Sequence, residues 1–110
     1  MSVKYPRRRA LAQTPTPIDR MSRLTVLLGG PELYFKRDDL TGSTLSGNKI
    51  RKLEFALAEA LSQGASVIIT AGGIQSNHCR ATAIACAKLG LECHLILRGR
   101  QDGAPDGNLF

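Results

Sequence analysis

The chain has 110 residues, 43% of them hydrophobic and 22% charged, with a formal net charge of +6. That size allows one small domain with a modest core, and no apolar run approaches the roughly 20 residues a membrane helix needs. The basic excess comes with two Tyr, three Phe and no recognition motif, which argues against a nucleic-acid partner.

Residues 1–17 read as a basic, proline-containing lead-in, with Arg7-Arg8-Arg9 as a solvated arm and Thr14-Pro15-Thr16-Pro17 as an extended stretch. The Arg-rich, acid-free first 18 residues also have a transit-peptide composition, although no apolar signal-peptide core is present. Ile18, Met21, Leu24 and Leu28 recur near helical spacing, so a helix is expected over 18–28, stopped by Gly29-Gly30-Pro31. Leu33 to Arg37 suits a short strand. Asp38 to Asn48, rich in Thr, Gly and Ser, reads as a loop. From Lys49 to Gln63, Ile50, Leu53, Leu57, Ala60 and Leu61 form one helical face, closed by Gly64. Ser66 to Thr70 is a β-branched run typical of a buried parallel strand. Gly72-Gly73 leads into a second helix from Ser76 to Leu89, stopped by Gly90, and Cys93 to Leu97 reads as the next strand. Strand, helix, strand in that order is a βαβ unit, so the fold class is α/β with a parallel sheet. The tail from Arg98 to Phe110 shows no evident terminal element. Cys79, Cys86 and Cys93 are odd in number and lack a Cys-x-x-Cys pair, which argues against a disulfide scaffold and makes reduced thiols in a cytosol-like compartment the expectation. Their spacing with His78 and His94 matches no metal-ligand module.

Two places carry chemistry. Lys49, Arg51 and Lys52 crowd the first turn of their helix, at the positive pole of its dipole, where Asp or Glu is preferred. Such a start can hold an anion, and it disfavours an ammonium, which favours a reactive free amine at Lys49. The alternative is a surface helix whose cations pair with Asp38, Asp39 or Glu54. The second place is the turn after the 66–70 strand, since ligands in open α/β sheets gather at strand carboxyl ends. There Gly72 and Gly73 allow close backbone approach, and Ser76, Asn77 and His78 offer a hydroxyl, an amide and an imidazole at a helix start. The alternative is plain capping by Ser76 or Asn77. Neither a Gly-x-Gly-x-x-Gly fingerprint nor a P-loop is present.

Three segments in register resemble one family. Lys36-Arg37-Asp38-Asp39-Leu40-Thr41, Ser46-Gly47-Asn48-Lys49-Ile50-Arg51-Lys52-Leu53-Glu54-Phe55 and Gly72-Gly73-Ile74-Gln75-Ser76-Asn77-His78-Cys79-Arg80-Ala81-Thr82-Ala83 look like the D-cysteine desulfhydrase / 1-aminocyclopropane-1-carboxylate deaminase family. That family belongs to the tryptophan synthase β-like, fold-type II enzymes that use pyridoxal 5'-phosphate. The resemblance implies that Lys49 joins the cofactor aldehyde, that Lys52 lies near its phosphate, and that Asn77 lies beside its ring hydroxyl. It implies that Ser76, Asn77 and His78 grip the substrate carboxylate, with Ser76 also a catalytic group. His78 favours the desulfhydrases, because the deaminases tend to carry Gln at that place. The implied chemistry is α,β-elimination from D-cysteine to pyruvate, hydrogen sulfide and ammonia. With the cyclopropane amino acid it would be ring opening to 2-oxobutanoate and ammonia. A small amino-acid substrate, no metal, no membrane and a homodimer at full length belong to the same expectation.

The family's chains are much longer. Its glycine-rich phosphate loop and pyridine-nitrogen partner are expected downstream, so residues 18–110 read as an incomplete amino-terminal part of the enzyme domain, weakly active or inactive alone.

Overall fold

The computed structural model describes residues 4–110. Its centre is the βαβ unit. Strand β3 (Val67–Gly73) pairs in parallel with β4 (Glu92–Arg98), from Val67 opposite Glu92 to Gly73 opposite Arg98. Between them runs helix α3 (Asn77–Leu89), and ahead of them helix α2 (Lys49–Ser62). A small antiparallel ribbon, β1 (Ile18–Arg20) with β2 (Tyr34–Lys36), flanks helix α1 (Ser22–Leu28).

The expected helix over 18–28 therefore divides. Ile18–Arg20 is extended and takes its ladder bonds from Tyr34–Lys36, and the helix starts only at Ser22. Helical spacing of the apolar residues fails as a guide here because tertiary pairing with a later strand overrides it. α1 buries none of its residues and ends at Gly29, whose φ of 61° suits a residue without Cβ.

The core is built where α2 meets α3. Ile50, Leu53 and Leu57 of α2 pack with Ala81, Ala85 and Cys86 of α3, closed by Leu11 and Leu45. Ala81 and Ala85 are completely buried and small, so the two helices approach closely. Leu61, expected on the buried face, lies at the exposed end of α2. Burial also pushes the Cys86 thiol up to about 11, with Cys93 adding to the shift, so Cys86 behaves as a core residue.

β3 is not buried on both sides. Ile68, Thr70 and Gly72 face the helices, whereas Val67, Ile69 and Ala71 alternate outward, and Ile69 is 67% exposed. The molecule is 20 Å along its shortest axis, room for one sheet and one helix layer. Among the described residues, no helix is long and apolar enough to cross a membrane.

Glu54 points from α2 into this core and is 1% exposed. Its carboxylate accepts from Arg8 Nε at 2.6 Å and from the backbone N–H groups of Leu11 and Ala12 at 2.7 and 2.9 Å. The basic triplet is thus no free arm: Arg8 is anchored, and Arg9 N–H donates to the Glu54 carbonyl. Burial pushes the carboxyl up, but the Arg8 guanidinium and the Ala12 and Leu11 amides outweigh it and hold it below its ordinary range.

The β3–α3 junction is also tight. A Cβ on Gly72 would lie 2.6 Å from Ser76 Oγ and 2.7 Å from Cys79 Sγ. A Cβ on Gly73 would meet only the Arg98 carbonyl, at 3.8 Å. Close approach at Gly72 thus serves the protein's own turn.

Two predictions follow from these contacts. Glu54→Ala strands two amide donors and should cost roughly 2–5 kcal/mol in urea unfolding. Glu54 contributes in full above its unfolded value of about 4.3, and the contribution fades as pH falls through the lower folded value. The Glu54→Ala stability curve should therefore be flatter across that window; parallel curves would remove Glu54 as the source. Gly72→Ala should cost about 1–3 kcal/mol by overpacking. Gly73→Ala should stay within about 0.5 kcal/mol. Equal effects at the two glycines would contradict the close approach.

Candidate active site

The start of α3 is tied to the loop that leads into α2, through Arg80. Lys49, Arg51 and Lys52 occupy the first turn of α2, as expected from the sequence. Its N-cap residue, Asn48, makes no side-chain capping bond, so the crowded cations are not offset by a capping side chain. Arg51 is resolved differently from its neighbours. It forks onto Asp38, with Nε to Oδ2 at 2.8 Å and Nη2 to Oδ1 at 2.7 Å, and reaches Thr16 Oγ1 at 3.0 Å. That fork, above all, holds the Asp38 carboxyl below its ordinary range. Asp39 is taken by Arg37. Among the described residues neither Lys49 nor Lys52 has an ion-pair partner. The pairing alternative raised for this helix start thus applies to Arg51 alone.

At α3, Ser76 is the N-cap: its Oγ accepts from Cys79 N–H at 3.2 Å. Capping uses the oxygen as acceptor and leaves its hydroxyl proton available to donate. Asn77 begins the helix and is exposed. His78 turns back onto the sheet, where its Nε2 lies 3.0 Å from Thr70 Oγ1. It lines a cavity of about 190 Å³ with Leu53, Leu57, Ile68 and Thr82. Burial lowers the His78 pKa, and the charges of Lys52 and Lys49 lower it further, which favours a neutral imidazole. Ser76 and Asn77 thus stand at the mouth of α3, while the His78 ring is packed behind them.

Two latches were not visible in the sequence. Arg80 on α3 donates to the Thr44 carbonyl and, from Nη2 at 3.2 Å, to the Ser46 carbonyl, which ties down the loop leading into Lys49. Gln75 binds the tail: its Nε2 donates to Asp106 Oδ1 at 3.0 Å, and its Oε1 accepts from Asn108 N–H at 2.9 Å. The tail, expected to lack an element, forms a 3-10 turn over Gly107–Leu109. Gly107 has a φ of 53°, and a Cβ there would lie 2.8 Å from Gln75 Oε1. A glycine followed by Asn in a loop was the one local signal of this turn. Its partner lies more than 30 residues away, beyond the reach of pattern.

Chemically, the site combines an amine, a second cation, an amide, a hydroxyl and helix-start N–H groups. That set suits a ligand with an aldehyde and an anionic group. The family model for pyridoxal-phosphate dependent enzymes matches residues 9–106. A bifunctional D-cysteine desulfhydrase/1-aminocyclopropane-1-carboxylate deaminase, mitochondrial, of Arabidopsis thaliana is 62% identical over 89 residues, covering 81% of this chain and 22% of that protein. A D-cysteine desulfhydrase of Serratia proteamaculans is 52% identical over 92 residues, covering 84% of this chain and 28% of that protein. The crystal structure of a homologue of ACC deaminase superposes with a TM-score of 0.83 at 46% identity, over 88% of this chain and 30% of that one. The chain spans about a quarter of the length of these relatives. With the α/β architecture and the family match together, this chain belongs to the pyridoxal-phosphate dependent enzyme family.

Proposed function

We propose that this chain carries the Schiff-base lysine and the substrate-facing turn of a pyridoxal-phosphate dependent lyase acting on D-cysteine. The observation that supports it most is the unequal fate of three crowded cations. Arg51 is neutralised by Asp38, while Lys49 and Lys52 stand without an ion-pair partner among the described residues. The residues fit the cofactor in kind: Lys49 offers the amine for its aldehyde, Lys52 a positive charge near its phosphate, and Asn77 an amide for its ring hydroxyl. When bound, the cofactor supplies an electron sink for the substrate's α-carbon. Lys49 Nζ takes the α-proton of the amino acid. Ser76, Asn77 and His78 hold the substrate carboxylate at the α3 start, where N–H groups and the dipole favour an anion. Ser76 also has a hydroxyl proton to give. His78 belongs to the same turn, and its ring supports that turn through Thr70.

The products on D-cysteine are pyruvate, hydrogen sulfide and ammonia. The names of the relatives favour this substrate, and the cyclopropane amino acid is the second reading because the Arabidopsis relative is named for both activities. A homodimer and a cytoplasmic location complete the proposal. An organellar location is the alternative, from the acid-free, Arg-rich start and the name of the Arabidopsis relative.

The test is covalent trapping. The chain is incubated with pyridoxal 5'-phosphate, reduced with borohydride and digested, and the labelled lysine is mapped. Label should concentrate on Lys49 and vanish in Lys49→Ala. Lys52→Ala should keep the label on Lys49 but require about tenfold more cofactor for half-labelling, the loss of one phosphate contact. Label scattered over surface lysines, or none, would sink the reading.

A further inference from the structure

Asn77 offers either a donor or an acceptor to whatever meets it, depending on which way its carboxamide faces. The tail decides this. Asn108 Nδ2 donates to the Gln75 carbonyl at 3.0 Å, and a backbone carbonyl can only accept. The NH2 end of Asn108 is therefore fixed on that side. The same Nδ2 lies 2.8 Å from Asn77 Oδ1, so Asn77 must present its oxygen to Asn108. Its own NH2 is then turned away, and among the described residues it has no hydrogen-bond partner. The backbone of Asn108 is held separately, its N–H donating to Gln75 Oε1, which leaves both side-chain N–H groups for the Gln75 carbonyl and Asn77 Oδ1.

We propose that Asn108 is a positioning residue: it sets the polarity of the Asn77 carboxamide, so that Asn77 donates its NH2 toward an anionic ring oxygen of the bound cofactor. The role rests on the cofactor reading above, and it adds what that reading lacks, the direction of the amide. A donor on the ring oxygen withdraws negative charge from it and makes the neighbouring imine nitrogen less basic. Asn108→Asp reverses the arrangement. A carboxylate cannot donate to Asn77 Oδ1, so Asn77 swings its NH2 toward Asp and presents its oxygen to the ring.

Two measurements on the chain test this. In NMR without cofactor, the Asn108 NH2 should be protected from solvent exchange and the Asn77 NH2 should exchange freely. In Asn108→Asp the Asn77 NH2 should become the protected one. A fast-exchanging Asn108 NH2 in the parent chain would overturn the positioning role. With pyridoxal 5'-phosphate added, the pH midpoint of the imine absorption band should rise by about one unit in Asn108→Asp and by less in Asn108→Leu. In an Asn77→Ala background, neither change should move it further. A midpoint unmoved by Asn108→Asp, with Lys49 still labelled, would overturn the donor role while sparing the cofactor reading. No label on Lys49 in the parent would sink the cofactor reading and the donor role with it.

Discussion

The buried Glu54 carboxylate is the interaction on which the rest depends. A carboxylate taken out of water costs several kcal/mol, which only good geometry offsets. Here the offset comes from Arg8 and two backbone amides, all from the lead-in. The lead-in is thus part of the domain, and Leu11 enters the core with it. Gln13 N–H continues the attachment by donating to the Thr41 carbonyl at 2.8 Å. The fully buried Thr41 hydroxyl is in turn within hydrogen-bond reach of the Asp38 and Gly47 carbonyls, at 2.9 and 3.1 Å. A continuous run of hydrogen bonds therefore joins the amino-terminal strap to the loop that delivers Lys49. Loops carry function when a rigid frame positions them, and this loop is held at both ends.

That framing changes the meaning of the crowded cations. At a helix start, three like charges are unfavourable unless something answers them. Asp38 answers one, and it does so from the loop the strap holds in place. Its bidentate geometry on Arg51 fixes direction as well as charge. The two lysines of the same turn have no ion-pair partner among the described residues. Their effect is felt at His78 behind the mouth of α3, where burial first and then the charges of Lys52 and Lys49 lower the pKa of the ring. An anion arriving between the two helix starts would meet both lysines and the N–H groups of α3 without competing with an internal carboxylate.

The helices α2 and α3 and the strands between and after them were legible, because each repeats one period without interruption and ends on Gly or a polar cap. Lys49 and Ser76 were legible for the same reason, as residues at the starts of strongly patterned helices. The segment 18–28 was misread because the apolar spacing of a short exposed helix also fits a strand followed by a turn. Only the pairing with Tyr34–Lys36 decides between them. The outward face of β3 was misread because a β-branched run is the same whether one side is covered or two. Arg80 and Asn108 were invisible for a different reason. Their partners are backbone carbonyls and an amide more than 30 residues away, and such contacts leave no periodicity.

Several of the positioning contacts are made by one turn and the helix start that follows it. Gly72 sets the distance between β3 and the Ser76 cap; Gln75 carries the tail that orients Asn77; Arg80, one turn further, holds the loop before Lys49. The amine and the amide come from different helices, yet both are located by contacts made within nine residues, from Gly72 to Arg80. Gly72 itself has no room for a Cβ because Ser76 Oγ and Cys79 Sγ already crowd its place. The turn and the amino-terminal strap thus place the groups between them, and the lysines supply charge to that geometry.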